Sequence, residues 1–193
     1  MWSKQSPSEL VIAKMYYDAN DNDYHNWSHI LDCYDFLEKN HIPYNEDLDI
    51  AVLFHDAVYD NLAEKELRSA NLMMSLYPER SQFVSSIIIA TQQHSIRNCD
   101  WKTIAMIKAD LHAFLSPMKV VENYGKIMKE SMKLYNVDTP TFVTKNREFM
   151  LALMNTIDSN YKINLDEFWL KVNDGIKLSI SIGGTYYNDG TIT

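Results

Sequence analysis

Apolar residues recur at helical spacing through most of the chain, and polar clusters or prolines cut that pattern into separate segments. Ser6-Pro7-Ser8-Glu9 reads as a capping box with proline in the first turn, so a first helix runs to about Tyr17. Residues 18–23 are almost entirely polar and form a loop into Tyr24-His25-Asn26-Trp27-Ser28-His29. Ile30, Cys33, Tyr34 and Leu37 then supply the i, i+3, i+4, i+7 stripe of a second helix. After Pro43, the nearly unbroken apolar run 48–54 predicts a buried helix from about Glu46 to Tyr59. Another helix follows from about Glu64 to Leu76, stopped by Pro78.

Phe83, Ile87, Ala90 and His94 share one face of the next predicted helix, and Trp101–Leu115 forms another that ends before Pro117. Two long helices are expected at about 118–134 and 140–157, the second capped by Thr139. Asn164 with Glu167 repeats the capping-box pattern ahead of Phe168, Trp169 and Val172. Leu178-Ser179-Ile180-Ser181-Ile182 alternates as a strand would, and the glycines from Gly183 onward suggest a loose tail. The fold class is therefore all-α: a single helical domain over residues 1–182 with a C-terminal tail at 183–193, and no internal repeat.

Composition narrows the function classes. With 46% hydrophobic residues in 193, one core can be buried, and the low Gly and Pro content argues against disorder. A formal charge of −8 disfavours a nucleic-acid duplex as partner but leaves small phosphorylated ligands open, because a metal and a few local cations can reverse the sign locally. Cys33 and Cys99 lack C-x-x-C spacing and read as reduced thiols. The first residues contain no apolar secretory segment and the chain no membrane-length apolar run, so a cytoplasmic protein without membrane attachment is expected. Methionine and aromatic residues in the late helices are compatible with a homodimer.

The chemistry-bearing residues fall where packing residues belong. His29 heads a helix, His55-Asp56 closes the apolar one, and Asp110 interrupts a third beside Ile107 and Leu111. Two imidazoles and two carboxylates suit Mn, Fe, Co, Ni or Zn better than Mg. Buried carboxylates without a cation would be costly, which makes a shared divalent metal the economical reading.

The chain resembles the HD-domain superfamily of metal-dependent phosphohydrolases, whose pattern is H…HD…D on a helical bundle. The resemblance rests on five ordered blocks covering roughly residues 10–155: Tyr24 to Ile30, Leu53 to Asp60, Glu66-Leu67-Arg68-Ser69-Ala70, Ala90-Thr91-Gln92-Gln93-His94 and Ala109-Asp110-Leu111. It is closest to a small subgroup whose first block reads Tyr-His-Asn-x-x-His. It implies metal ligation by His29, His55, Asp56 and Asp110, and hydrolysis of a phosphoester or phosphoanhydride in a nucleotide or related small molecule.

Glu66, Asp60 and Glu64 are the candidates for the base, with Glu66 favoured by the motif match; Tyr59 occupies a position where some HD nucleotidases carry an acid. His94 is a candidate for a second metal or the scissile phosphate. His25, Arg68, Lys108 and Arg147 are candidate substrate contacts. Trp27, Tyr59 and Trp101 could stack a base. His41 and His112 read as structural or solvent-facing. Two alternatives stand beside the hydrolase: a non-catalytic HD module that binds a nucleotide or protein partner, and a di-iron oxygenase of the same fold.

Overall fold

The computed structural model describes residue 4, residues 7–80 and residues 82–188. Among these residues the secondary structure is entirely helical: α1 Pro7–Asn20, α2 Trp27–Lys39, α3 Glu46–Phe54, α4 Lys65–Leu76, α5 Gln82–Ala90, α6 Trp101–Leu111, α7 Pro117–Tyr135, α8 Thr139–Ile163 and α9 Glu167–Asn188, with a 3-10 turn at His112–Leu115. The chain forms two compact units, one ending at Asp110 and the other beginning at Leu111. The expected cap Ser6 lies outside the described residues.

In the first unit α3 is the central element. Every residue from Leu48 to Phe54 is buried, and the helix packs against α1, α2, α4 and α5. A helix buried on all sides has no polar face, which is why its sequence is a run and not a stripe. Its one buried carboxylate, Asp49, accepts from the Tyr34 hydroxyl at 2.7 Å and the Lys4 N–H at 2.9 Å. On α2 the predicted stripe faces inward, with Ile30, Cys33 and Leu37 fully buried.

Three predicted boundaries move. α3 stops at Phe54 and not near Tyr59, with His55 as its C-cap and a tight turn closed by the Ala57 N–H on Phe54 O. α5 stops at Ala90, so His94 lies beyond it in a turn, with φ 52°. The predicted 101–115 helix passes into the 3-10 turn after Leu111, and Ser116 caps α7 with Pro117 at its start.

The second unit is built on the α8–α9 pair, with the 3-10 turn and α7 against α9. Asp138, not Thr139, caps α8 by accepting from the Thr141 N–H, and Asp166, not Asn164, accepts from the Phe168 N–H at the start of α9. The segment expected to alternate as a strand is helical, and α9 continues through Gly183 and Gly184 to Asn188; residues 189–193 lie outside the described ones. Gly175 and Gly183 stand where α9 approaches its neighbours closely. A Cβ on Gly175 would sit 2.2 Å from the Phe114 carbonyl oxygen, and one on Gly183 2.7 Å from the Tyr124 hydroxyl. Glycine otherwise costs a helix about 0.5–1 kcal/mol relative to alanine, and here it removes a steric collision.

Candidate metal centre

All the residues converging on the centre belong to the first unit. His29 stands in the first turn of α2, where Asn26 caps the helix through Ser28 N–H. The same Asn26 donates to the carbonyls of Asn22 and Asp23. Asn22 and Asn20 in turn donate to Tyr59 O and Ala57 O, both at 3.2 Å. Three asparagines thus fasten the loop ahead of His29 to the segment after His55-Asp56. Sequence reading treated this stretch only as a polar loop, and the signal was its density of short amide side chains.

His55 is positioned by the end of its own helix. Its Nδ1–H donates to Val52 O at 3.0 Å, since a carbonyl can only accept. That contact fixes the tautomer and leaves the Nε2 lone pair facing the centre. Asp56 follows in the turn, and Asp110 projects from the last turn of α6.

The ligand atoms of His29, His55, Asp56 and Asp110 all lie within 4.8 Å of one another. His29 Nε2 is 3.3 Å from His55 Nε2, 3.2 Å from Asp110 Oδ1 and 3.6 Å from Asp56 Oδ2. His55 Nε2 is 3.1 Å from Asp56 Oδ2 and 3.7 Å from Asp110 Oδ1. Metal–ligand bonds of about 2.0–2.2 Å place neighbouring donors roughly 3.0–3.5 Å apart, so these four residues could hold a metal ion with little rearrangement.

Electrostatics point the same way. Burial alone would raise the Asp56 carboxyl, but the His55 imidazole, with help from His25, holds it down at about 2. Burial opposes ionisation of Asp110 also, and His29, His55 and His94 together hold it well below the usual carboxylate range. Burial pushes the two central imidazoles down, and their neighbours more than reverse it: the Cys33 sulfur and Asp110 for His29, Asp56 and Asp110 for His55. The cluster demands positive charge, which protons or a cation can supply.

His94 approaches Asp110 from the other side, its Nε2 3.0 Å from Oδ2, so one carboxylate oxygen faces the centre and the other is held. His25 stacks on Tyr59 at 3.6 Å, and Lys65 Nζ lies 3.7 Å from the centroid of the same ring. Two groups that close must cover opposite faces, so Tyr59 offers no free face to a base. Two further residues escaped the sequence reading. Tyr24, with its ring 5.3 Å from that of His29, has its hydroxyl pushed up by burial and then by Asp110. Lys65 brings a cation to the loop after the His-Asp pair. Neither has a spacing rule that would mark it.

The other candidates have settings of their own. Asp60 is gripped by Arg68 through both oxygens, at 2.8 and 2.5 Å, and that guanidinium, against the small effect of burial, holds its carboxyl at about 2. Arg68 also donates to Ala63 O and Leu62 O, and Ser69 Oγ accepts from the Val58 N–H. Arg68, a candidate substrate contact, and Ser69 thus brace the loop over residues 58–63. Glu66 is half-buried in the first turn of α4, and Lys108 half-buried on α6 two residues before Asp110. Arg147 is exposed on α8 of the second unit, Trp101 is largely exposed, and Trp27 packs against Tyr17 at 5.8 Å. His41 is exposed, and His112 is buried in the 3-10 turn.

Comparison of the chain with protein-family models, curated proteins and solved structures finds no match. Among the described residues no helix is long and apolar enough to cross a membrane.

Proposed function

We propose that the chain is a metal-dependent phosphohydrolase of the HD type, acting on a phosphoester or phosphoanhydride of a nucleotide or related small phosphorylated molecule. The observation that carries the reading is the convergence of two imidazole nitrogens and two carboxylate oxygens from separate elements in a buried cluster. His29, His55, Asp56 and Asp110 would hold a divalent ion of the Mn, Fe, Co, Ni or Zn type. Such an ion supplies Lewis acidity, offsetting charge that builds on phosphoryl oxygens and acidifying water.

The remaining residues have supporting tasks. His94 orients Asp110 through Oδ2, His25 covers one face of Tyr59, and Lys65 brings a cation to the other, where an anionic substrate would be drawn. Asp60, pinned and strongly acidic, is a poor base; Glu66 keeps that assignment in this proposal.

The test is to purify the protein, determine its metal, and screen a nucleotide and phosphoester panel with Mn²⁺, Co²⁺, Ni²⁺ and Mg²⁺. Phosphate release is expected with at least one member, and Asp56→Ala should abolish both metal retention and turnover. Unchanged metal content in that variant would refute the ligand assignment. A metal-loaded protein that releases phosphate from nothing would favour the second reading, a nucleotide-binding module without turnover. That reading draws on the same loop: Tyr59 stands where an acid could act, and Asp60 beside it is tied to Arg68.

A further inference from the structure

We propose that Cys33 joins His29 and His55 in a sulfur-containing ligand set beside the carboxylate set, so that the centre prefers a thiophilic ion such as Zn²⁺, Cd²⁺ or Co²⁺ over Mg²⁺ or Mn²⁺. The inference rests on the metal-centre reading above and narrows the class of ion. Cys33 follows His29 by one turn of α2, so the two side chains share a face. Its sulfur is fully buried and 3.8 Å from His29 Nε2, and the ligand atoms of His29, Cys33 and His55 lie within 4.8 Å of one another. Bonds of about 2.3 Å to sulfur and 2.0–2.1 Å to nitrogen place such a pair roughly 3.4–3.9 Å apart.

The histidine pair therefore serves two ligand sets, with two carboxylates in one and a sulfur in the other. Helical spacing accounts for the approach to His29 but not for the approach to His55, which comes from another element. The polar contacts of Cys33 are made at the site, to His29 Nε2 and to the carbonyl of Ala109, the residue before Asp110. Neither cysteine is in a disulfide. Coordination would break the S–H bond and pass its proton to solvent, with the sulfur lone pair going to the ion. Two imidazoles and one thiolate make a borderline-soft set, and hard cations gain least from it.

The full chain loaded with Co²⁺ tests this. Visible d–d absorption reports that cobalt is bound, and an intense near-ultraviolet thiolate-to-cobalt band reports sulfur in its coordination sphere. Wild type should show both, Cys99→Ser should keep both, and Cys33→Ser should lose the near-ultraviolet band alone. In competition titrations Cys33→Ser should weaken Cd²⁺ by more than the ~10–100-fold typical of losing an outer partner, while changing Mn²⁺ by less than about threefold. Visible bands in wild type without the sulfur band would overturn this inference and leave the metal centre standing. Absence of both would overturn the centre and this inference together. If Cys33→Ser fails to fold, the wild-type and Cys99→Ser spectra still decide the matter.

Discussion

Asp49 and Asp56 are buried aspartates seven residues apart, and their partners give them opposite meanings. Asp49 is satisfied by a phenol hydroxyl and a backbone N–H, so it needs no cation. Asp56 meets imidazole nitrogens that themselves need a shared proton or ion. At the same scale His94, one of several non-glycine residues with a left-handed backbone, holds that costly conformation while its ring bonds Asp110. His94→Ala should leave the four ligands in place yet weaken metal binding ~10–100-fold by calorimetric titration, the usual cost of losing an orienting partner. Arg68→Ala should let the Asp60 carboxyl rise from about 2 toward its ordinary value near ~3.9, followed by NMR titration. The sign follows: a depressed carboxyl stabilises the fold above its unfolded value and ceases to as pH falls through about 2, so the variant should lose acid resistance first. The exposure of the pair makes that change small.

Among the elements, α3 and α9 show how far periodicity carries. The apolar run of α3 announces a buried helix, but its C-terminal limit is not visible in the pattern, because Ala57, Val58 and Tyr59 resume apolar residues directly after His55-Asp56. His55 turns its ring back onto Val52 O, and the chain then closes a turn that sets both ligands on the centre. For α9 the error ran the other way. Gly183 and Gly184 read as the start of a loose tail after a strand-like stretch, whereas Gly183 lets α9 pass against the Tyr124 hydroxyl and Gly175 lets it pass against Phe114. Gly175→Ala should therefore destabilise the protein by about 1–3 kcal/mol despite alanine's better helix propensity, measured by denaturant unfolding. An unchanged or higher midpoint would show that the Phe114 backbone yields easily.

For the molecule as a whole, the proposed function makes metal and protons compete for one cluster. Without metal, the raised His29 and His55 stabilise the fold below the unfolded imidazole value of about 6.5, and that contribution fades as pH rises through their folded values. Asp56 and Asp110, depressed, contribute above about 3.9 and cease to as pH falls toward their folded values. A bound ion replaces the protons, so its stabilisation grows with pH and should approach ~2.7 kcal/mol at a hundredfold excess over its dissociation constant. Thermal unfolding with and without chelator should thus show a gap in Tm that widens between about pH 5.5 and 8. A gap that narrows would mean that the ion does not displace the protons of these histidines.

The sequence by itself determined the helical class, because a 3.6-residue period of apolar positions can be buried only by helices. It also marked His29, His55, Asp56 and Asp110, because titratable side chains at positions otherwise occupied by packing residues stand out against the apolar pattern. Tertiary structure alone decided what stands around them. Arg68 was drawn away to Asp60, Tyr59 was sandwiched between His25 and Lys65, and His94 and Cys33 were brought to the ligands. Apart from the Cys33–His29 pair, which one turn of α2 brings together, these contacts join different elements or loops, and where those loops close and helices cross is not encoded by a local period.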